Sequence, residues 1–395
     1  MIKSATIKGS GIKFWRYFMY QFRKLVASAC LLFSCNTAYS EVATISGVYN
    51  EIQSDTTYIT VVVDGINLGP RPNIVYYNDF RKDKLYTSVA ANGGLAGVTR
   101  LRLGRVPMVS TYHSTPGFYV VDDTSDQLTI LEAFLGEPQS KVFVAYSVAI
   151  PEGYTAPAAS EPKKWFEGSS WKLNWLLQSP KAYSVTEEFD LCGPTMIGTG
   201  SALMGNSSLF VSLSSGGSYT HARVNDWWAW DDFNHMQVIF DGDTYNPKNS
   251  TGSFSVVNER VGYINYPHIS DRFVYKGPTP KITQINFPGW ARNTAEDKFQ
   301  AIYSNIYVSA GDGFLNRIEI TDSENYSKSS YRRVVFPKEW SQTEIKFDVY
   351  KSEVKANENL FFHYFDQNGN KIKDAFKVCL KCPKFSEGSS SVSSM

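Results

Sequence analysis

Thr57-Tyr58-Ile59-Thr60-Val61-Val62-Val63-Asp64-Gly65 packs β-branched side chains side by side and then stops at a turn dipeptide. Branching at Cβ stiffens χ1 and suits a pleated surface, so this stretch reads as a strand and not a helix. Asp64-Gly65 is the kind of pair that reverses a chain between strands. The same pattern returns in Lys141-Val142-Phe143-Val144-Ala145-Tyr146-Ser147-Val148, which ends before Pro151. Further strands are expected at 171–177, 208–214, 236–241, 253–257, 272–276, 281–287, 301–309, 316–321, 343–350 and 359–365. Turn chemistry separates them at Ser215-Gly216-Gly217, Asp241-Gly242-Asp243, Asn246-Pro247 and Asn368-Gly369. One short helix is expected over 128–136. Many short strands with turns between them predict an all-β sandwich or jelly roll.

Composition agrees. Aromatic residues make up 15% of the chain, with 24 Tyr, 25 Phe and 9 Trp, and such rings fill β-rich cores. Charge is nearly balanced, 39 basic against 38 acidic residues, and no long Lys/Arg block follows residue 40. A nucleic-acid partner is therefore not expected. No later stretch is apolar enough for a membrane helix, so no transmembrane segment is expected beyond the leader.

The first forty residues read as an export signal. Arg23 and Lys24 precede an apolar run from Leu25 to Phe33, and Ala38-Tyr39-Ser40 offers small residues for cleavage near Ser40. Met19 is an alternative start to Met1, and a lipidated Cys35 is the rival reading, opposed by the bulky Phe33. The mature chain is expected in the periplasm or outside the cell. Three cysteines remain there: Cys192, Cys379 and Cys382. The last two form a C-x-x-C, read as a local disulfide or as one partner for Cys192. Pro151, Pro157 and Pro162 mark either a linker or a long surface loop, and the Ser/Gly-rich 386–395 is expected to be disordered.

Two distant segments resemble the halves of one immunoglobulin-like module of the IPT/TIG type. Thr57 to Gly69 resembles its opening strand and glycine-bearing turn, with Leu68 where that family usually has Phe. Arg317-Ile318-Glu319-Ile320-Thr321-Asp322 through Trp340-Ser341 and Ile345 resembles its Trp-Ser connection, and the strand ending at Asp366 would close the sheet. The stretch between them is similar in layout to concanavalin A-like jelly rolls of exported bacterial proteins. The resemblance implies a discontinuous module of 41–80 and 309–385, carrying an inserted jelly roll of 81–308.

Chemistry-bearing residues concentrate in Asn225-Asp226-Trp227-Trp228-Ala229-Trp230-Asp231-Asp232. Indole faces stack on sugar rings while nearby carboxylates orient hydroxyls, which makes Trp227, Trp230, Asp226 and Asp231 the glycan-binding candidates. Asp231, Asp232, Asp241 and Asp243 could instead hold calcium, a hard cation that takes oxygen ligands. Plain structural use is the third reading. Apart from calcium, no cofactor is expected. Catalysis would need an acid pair such as Glu188 and Asp190, or a lyase base and neutraliser drawn from Arg223, His235, Arg272 and Tyr275. His221 and His235 are the two histidines close enough in sequence to suggest a metal pair. The expected function is non-catalytic binding of a glycan or cell-surface polymer. A polysaccharide lyase or glycoside hydrolase is the alternative, and a structural envelope component with a protein partner is the third class.

Overall fold

A computed structural model describes residues 43–51, 57–81, 98–102, 108–121, 130–149, 170–177, 195–200, 209–215, 218–224, 229, 232–241, 252–259, 262–266, 282–287, 290–292, 300–356, 359–372 and 375–378. Residues from Ala43 onward belong to one compact unit. Among the described residues the strands form four sheets, and all the strand pairs there are antiparallel.

The opening stretch is strand β2 (Tyr58–Ile66), and its neighbours come from opposite ends of the chain. β1 (Thr44–Glu51) lies on one side; β22 (Glu344–Tyr350) lies on the other, followed by β21 (Pro337–Trp340). The register sets Val61 opposite Phe347 and Val63 opposite Ile345. A second small sheet runs β20 (Arg332–Val334), β19 (Arg317–Thr321), β23 (Leu360–Phe365), β24 (Phe376–Val378). Between these sheets lie Val61, Val63, Ile345 and Phe347 on one side and Ile318, Ile320, Phe362 and Tyr364 on the other. Phe347 meets Phe362 edge-on at 5.6 Å. Trp340 donates from Nε1 to the Gly69 carbonyl at 3.1 Å, and the Tyr364 hydroxyl donates to the Leu68 carbonyl, so side chains stitch the two chain ends together. Gly65 is required beside them: a Cβ there would stand 2.5 Å from the Thr44 carbonyl oxygen.

The large sandwich fills the middle of the chain. Its central sheet runs β15 (Gly262–Tyr266), β14 (Gly252–Asn258), β13 (Asn234–Asp241), β8 (Lys141–Ala149), β18 (Gln300–Ala310), β6 (Thr115–Val121), β5 (Met108–Tyr112), and β3 (Ile74–Asn78) also pairs with β18. Its outer sheet runs β12 (Ser218–Val224), β11 (Leu209–Ser215), β10 (Thr195–Gly200), β9 (Ser170–Leu177), β16 (Ile282–Phe287), β7 (Ile130–Gln139), β4 (Val98–Arg102), with β17 (Trp290–Arg292) beside β9. The fold is an all-β jelly-roll sandwich packed beside a small immunoglobulin-like one. Aromatic rings fill the gap between the large sheets: Tyr146 meets Phe287 edge-on at 5.3 Å, and Tyr303 stacks on Phe118 at 5.1 Å.

Three expectations change. The helix expected over 128–136 is strand β7, because Leu131, Ala133 and Leu135 are buried on one face with Glu132 between them, a period of two. The helix that does form among the described residues is the short α1 (Lys351–Ala356), whose six residues carry too brief a pattern to read in advance. β3 falls within the stretch expected to belong to the small module, yet it pairs with β18 in the central sheet. The Pro-rich segment 151–164, the expected strand 272–276 and the tail 386–395 lie outside the described residues, as do residues 1–42.

Phe347 is fully buried between the small sheets. Phe347→Ala is expected to lower unfolding free energy by about 3–5 kcal/mol. Exposed Glu324→Ala is expected to change it by less than about 0.5 kcal/mol. Urea titration of both variants checks this, and equal midpoints would refute the shared core.

Candidate functional site

Strand β8 decides where a site can be. Residues 142–149 are all buried, although only one side chain parity faces the partner sheet of the large sandwich. Tyr146 belongs to that parity and meets Phe287. Phe143, Ala145 and Ser147 belong to the other, and they are covered by the small sandwich. Phe143, Ala145, Tyr77 and Tyr307 share a buried cluster with Val334 of β20. At β8 the central sheet is thus enclosed on both faces.

Polar groups complete this join. Arg317 lies over the rings of Phe143 and Phe365, at 4.5 and 3.8 Å, one ring from each sandwich. Its Nε donates to Glu319 Oε1 at 2.6 Å, and the Tyr326 hydroxyl donates to Glu319 Oε2 at 2.7 Å. Arg332 donates from Nη2 to the His235 carbonyl and to Ser255 Oγ, at 3.1 and 3.2 Å, and from Nη1 to the Tyr326 hydroxyl at 2.9 Å. Burial alone would raise the Glu319 carboxyl, but Arg317 and Arg332 hold it below its usual range. A second buried pair, Arg333 with Glu353 of α1, has contacts of 3.0 and 2.7 Å, and Tyr331 donates to the same carboxylate. Burial opposes ionisation there too, yet Arg333 and Arg81 bring Glu353 down to about 2.

His235 sits in this join. Its ring is 6% exposed, Nδ1 lies 2.7 Å from Ser147 Oγ, and Tyr331 packs on it edge-on at 5.0 Å. Burial, with Arg332 adding repulsion, lowers its pKa to about 3. The adjoining cavity, lined by Ser147, His235, Asn305 and Arg332, has a volume of about 10 Å³, room for one water. The expectation of His235 as a base in a groove is corrected: it is a structural group between layers. The suggested His221–His235 pair also separates, since β12 and β13 belong to different sheets.

The back of the outer sheet carries a different pattern. On β7 and β16, Leu131, Ala133, Ile285 and Phe287 occupy the core parity. Glu132, Gln284 and Asn286 occupy the other, as a solvent-withdrawn polar strip in which Gln284 Nε2 donates to Asn286 Oδ1 at 2.6 Å. Strand register extends this strip without a break. Arg100 pairs with Glu132, Glu132 with Asn286, Asn286 with Trp175, Trp175 with Met196, Met196 with Ser212, and Ser212 with His221. Directly paired residues occupy one side of a sheet, so seven strands contribute to a single row. A register shift between Ile197 and Gly198 builds a second row: Trp290, Lys172, Gly198, Phe210 and Arg223. Arg223 and His221 are the two residues of these rows already singled out from sequence. The signal for the others was available as polar residues at alternate positions of apolar strands, Glu132 in β7 and Gln284 and Asn286 in β16.

The other candidates fall elsewhere. Trp227, Trp230, Asp226, Asp231, Asp243, Glu188, Asp190, Arg272, Tyr275, Cys192, Cys379 and Cys382 lie outside the described residues. Within the Trp-rich segment, buried Ala229 is held at both its amide and its carbonyl by the Asn234 side chain, at 3.0 and 2.9 Å. Asp232 and Asp241 flank opposite ends of β13, more than about 20 Å apart at strand rise, so they cannot share one calcium ion. Among the described residues no cluster of three potential metal ligands occurs. No helix among them is long and apolar enough to cross a membrane.

An unfolded histidine takes a proton near pH 6.5, whereas folded His235 stays neutral to about 3. Between those values the unfolded chain binds more protons. Its contribution is therefore full above pH 6.5 and is lost as pH falls towards 3, by at most about 1.4 kcal/mol per pH unit. His235→Gln is expected to flatten that part of the stability profile, read from urea midpoints between about pH 4 and 7. Parallel profiles for the two proteins would contradict the enclosed, neutral ring.

No protein family matches this chain, and no curated protein does. Solved structures similar to it include alginate lyase vAL-1 from Chlorella virus, at 11% identity and a TM-score of 0.38, over 58% of this chain and 100% of that one. A mutant of alginate lyase Aly36B in complex with alginate trisaccharide is similar at 8% identity and a TM-score of 0.42, over 61% and 99%. A Bacillus subtilis protein of unknown function with a galectin-like fold is similar at 12% identity and a TM-score of 0.35, over 61% and 97%.

Proposed function

We propose that this chain is an exported, non-catalytic carbohydrate-binding protein whose ligand lies along the back of the outer sheet. The observation carrying the reading is the unbroken row from Arg100 to His221. At about 4.8 Å per strand, six steps span about 29 Å, the scale of an oligomer and not of a single sugar. Glu132, Gln284 and Asn286 are buried and fix the centre of the strip, so ligand contact falls to the positions beside them, where Trp175 supplies a ring type that stacks on sugar faces. An IPT/TIG-type small module, cleavage near Ser40 and the cysteine pairing belong to the same proposal. Trp227, Trp230, Asp226 and Asp231 are retained as further ligand contacts.

The spacing argues for binding over hydrolysis. Hydrolysis needs two carboxyl groups across one bond, and the two rows contain one acid. His221 and Arg223 share one face of β12, so a lyase, which needs a base and a neutraliser at one sugar, is the alternative reading.

Retention of the mature chain on a panel of neutral and acidic polysaccharides tests the proposal. Trp175→Ala is expected to weaken retention about tenfold, with unchanged thermal unfolding as the control for folding. Retention on none of the polymers would refute the reading. Release of reducing or unsaturated ends would replace it with an enzymatic one.

A further inference from the structure

The join between the sandwiches contains two buried side-chain atoms with opposite hydrogen-bonding needs. Asn305 is 3% exposed and Gln237 is 5% exposed. Asn305 Nδ2 donates to Ser147 Oγ at 3.4 Å, but among the described residues no group donates to Asn305 Oδ1. Gln237 Nε2 carries two protons. It lies towards Glu319, whose carboxyl it helps to hold low, yet neither proton meets an acceptor there in full hydrogen-bonding geometry. Leaving such atoms unmatched in the interior costs more than an ordinary hydrogen bond contributes. Both residues line the cavity of about 10 Å³ beside His235.

Strand geometry brings the two amides together. β13, β8 and β18 are neighbours in that order, and Gln237 pairs with Ala145, which pairs with Tyr307. From Ser304 to Tyr307 strand β18 advances three residues while β8 advances two, so Asn305 belongs to a bulge. Its φ of 49° lies in the left-handed region, which Asn tolerates better than most residues. The bulge puts Asn305 on the same cavity as Gln237, across Ala145, whose side chain is a single methyl group. Val334 of β20 closes the cavity from the small sandwich.

We infer that this cavity is a binding site for one internal water, which accepts from Gln237 Nε2 and donates to Asn305 Oδ1. The water links β13 to β18 over Ala145, and it is independent of the carbohydrate reading. An anion would face the Asn305 carbonyl oxygen, and both guanidiniums on the cavity wall already have partners: Arg332 in Tyr326 and Ser255, Arg333 in Glu353. A cation would face those guanidiniums. A neutral molecule that both donates and accepts suits the two amides, and the volume limits it to water.

Crystals of the mature chain diffracting to high resolution are expected to show a water within about 3.2 Å of both atoms. A dry cavity would overturn the inference. A double-mutant cycle, read from urea titrations, tests it in solution. Gln237→Met keeps the side chain's length and removes its donors, while Asn305→Gly keeps the left-handed backbone and removes the acceptor. Each variant is expected to lower the folding equilibrium constant about tenfold, and the pair by about tenfold and not about a hundredfold, because one water serves both. Effects that multiply, or a Gln237→Met protein more stable than its parent, would show that the two atoms share no water. The crystallographic result decides alone if Asn305→Gly does not fold.

Discussion

Strand β8 has no face left for bulk water, and that constraint shapes the rest of the molecule. A strand with one solvated face alternates apolar with polar residues, whereas Lys141 to Ala149 alternates two kinds of buried residue. One parity, with Tyr146, is aromatic and aliphatic and packs against Phe287. The other passes from Phe143 through Ala145 to Ser147 and meets a layer that contains guanidinium groups. Burying Arg317, Arg332 and Arg333 without partners would be prohibitive, and each has a carboxylate, ring or hydroxyl in reach. Such pairs add little net stability over well-packed apolar residues. They do penalise any misalignment of the layers, because a shifted layer leaves a charge buried and unmatched.

The same constraint locates the face proposed for function. With β8 enclosed between the outer sheet and the small sandwich, the other broad face is the back of the outer sheet, which at β7 and β16 is itself withdrawn from solvent. That face carries polar side chains on strands whose other parity is as apolar as any core. Glu132 sits between Leu131 and Ala133, and Asn286 between Ile285 and Phe287, so nothing about stability of the large core calls for those polar residues. The strip is withdrawn from solvent and internally hydrogen-bonded.

Much of the fold was legible in sequence because period-two patterns are local. That the two chain ends meet was expected from the resemblance carried by Thr57 to Gly69 and by Arg317 to Ile345, but the register that sets Val61 opposite Phe347 was not. What local pattern could not convey was which sheet each strand joins. His221 and His235 are fourteen positions apart and end in different sheets; Arg100 and His221 are 121 positions apart and end in one row. Emphasis on Trp227 and its neighbours followed from local density of aromatic and acidic residues. The rows were invisible to that approach because each strand contributes one residue. Likewise β7 was misread as a helix because Leu131, Phe134 and Leu135 also satisfy a helical spacing, and only the flanking strands β4 and β16 decide between the two periods.

The arrangement of the ends explains how one sandwich can interrupt another. The chain leaves the small sandwich after Leu68 and returns to it at Arg317. Asn316 Nδ2 donates to the Pro70 carbonyl at 2.6 Å, so departure and return are adjacent. β3 and β18, the strands just inside those points, pair with each other, and Ala310 N donates to the Asn73 carbonyl at 3.0 Å. An insertion whose ends meet in this way imposes little strain on its host, because the host sees only a closed loop. Closing so long a loop still carries an entropic penalty, which grows only slowly with loop length. Here the ends of the inserted sandwich are adjacent at β3 and β18, so the β2–β22 pairing spans only a short gap, and the join through Arg317 and Arg332 ties the small sandwich to the large one.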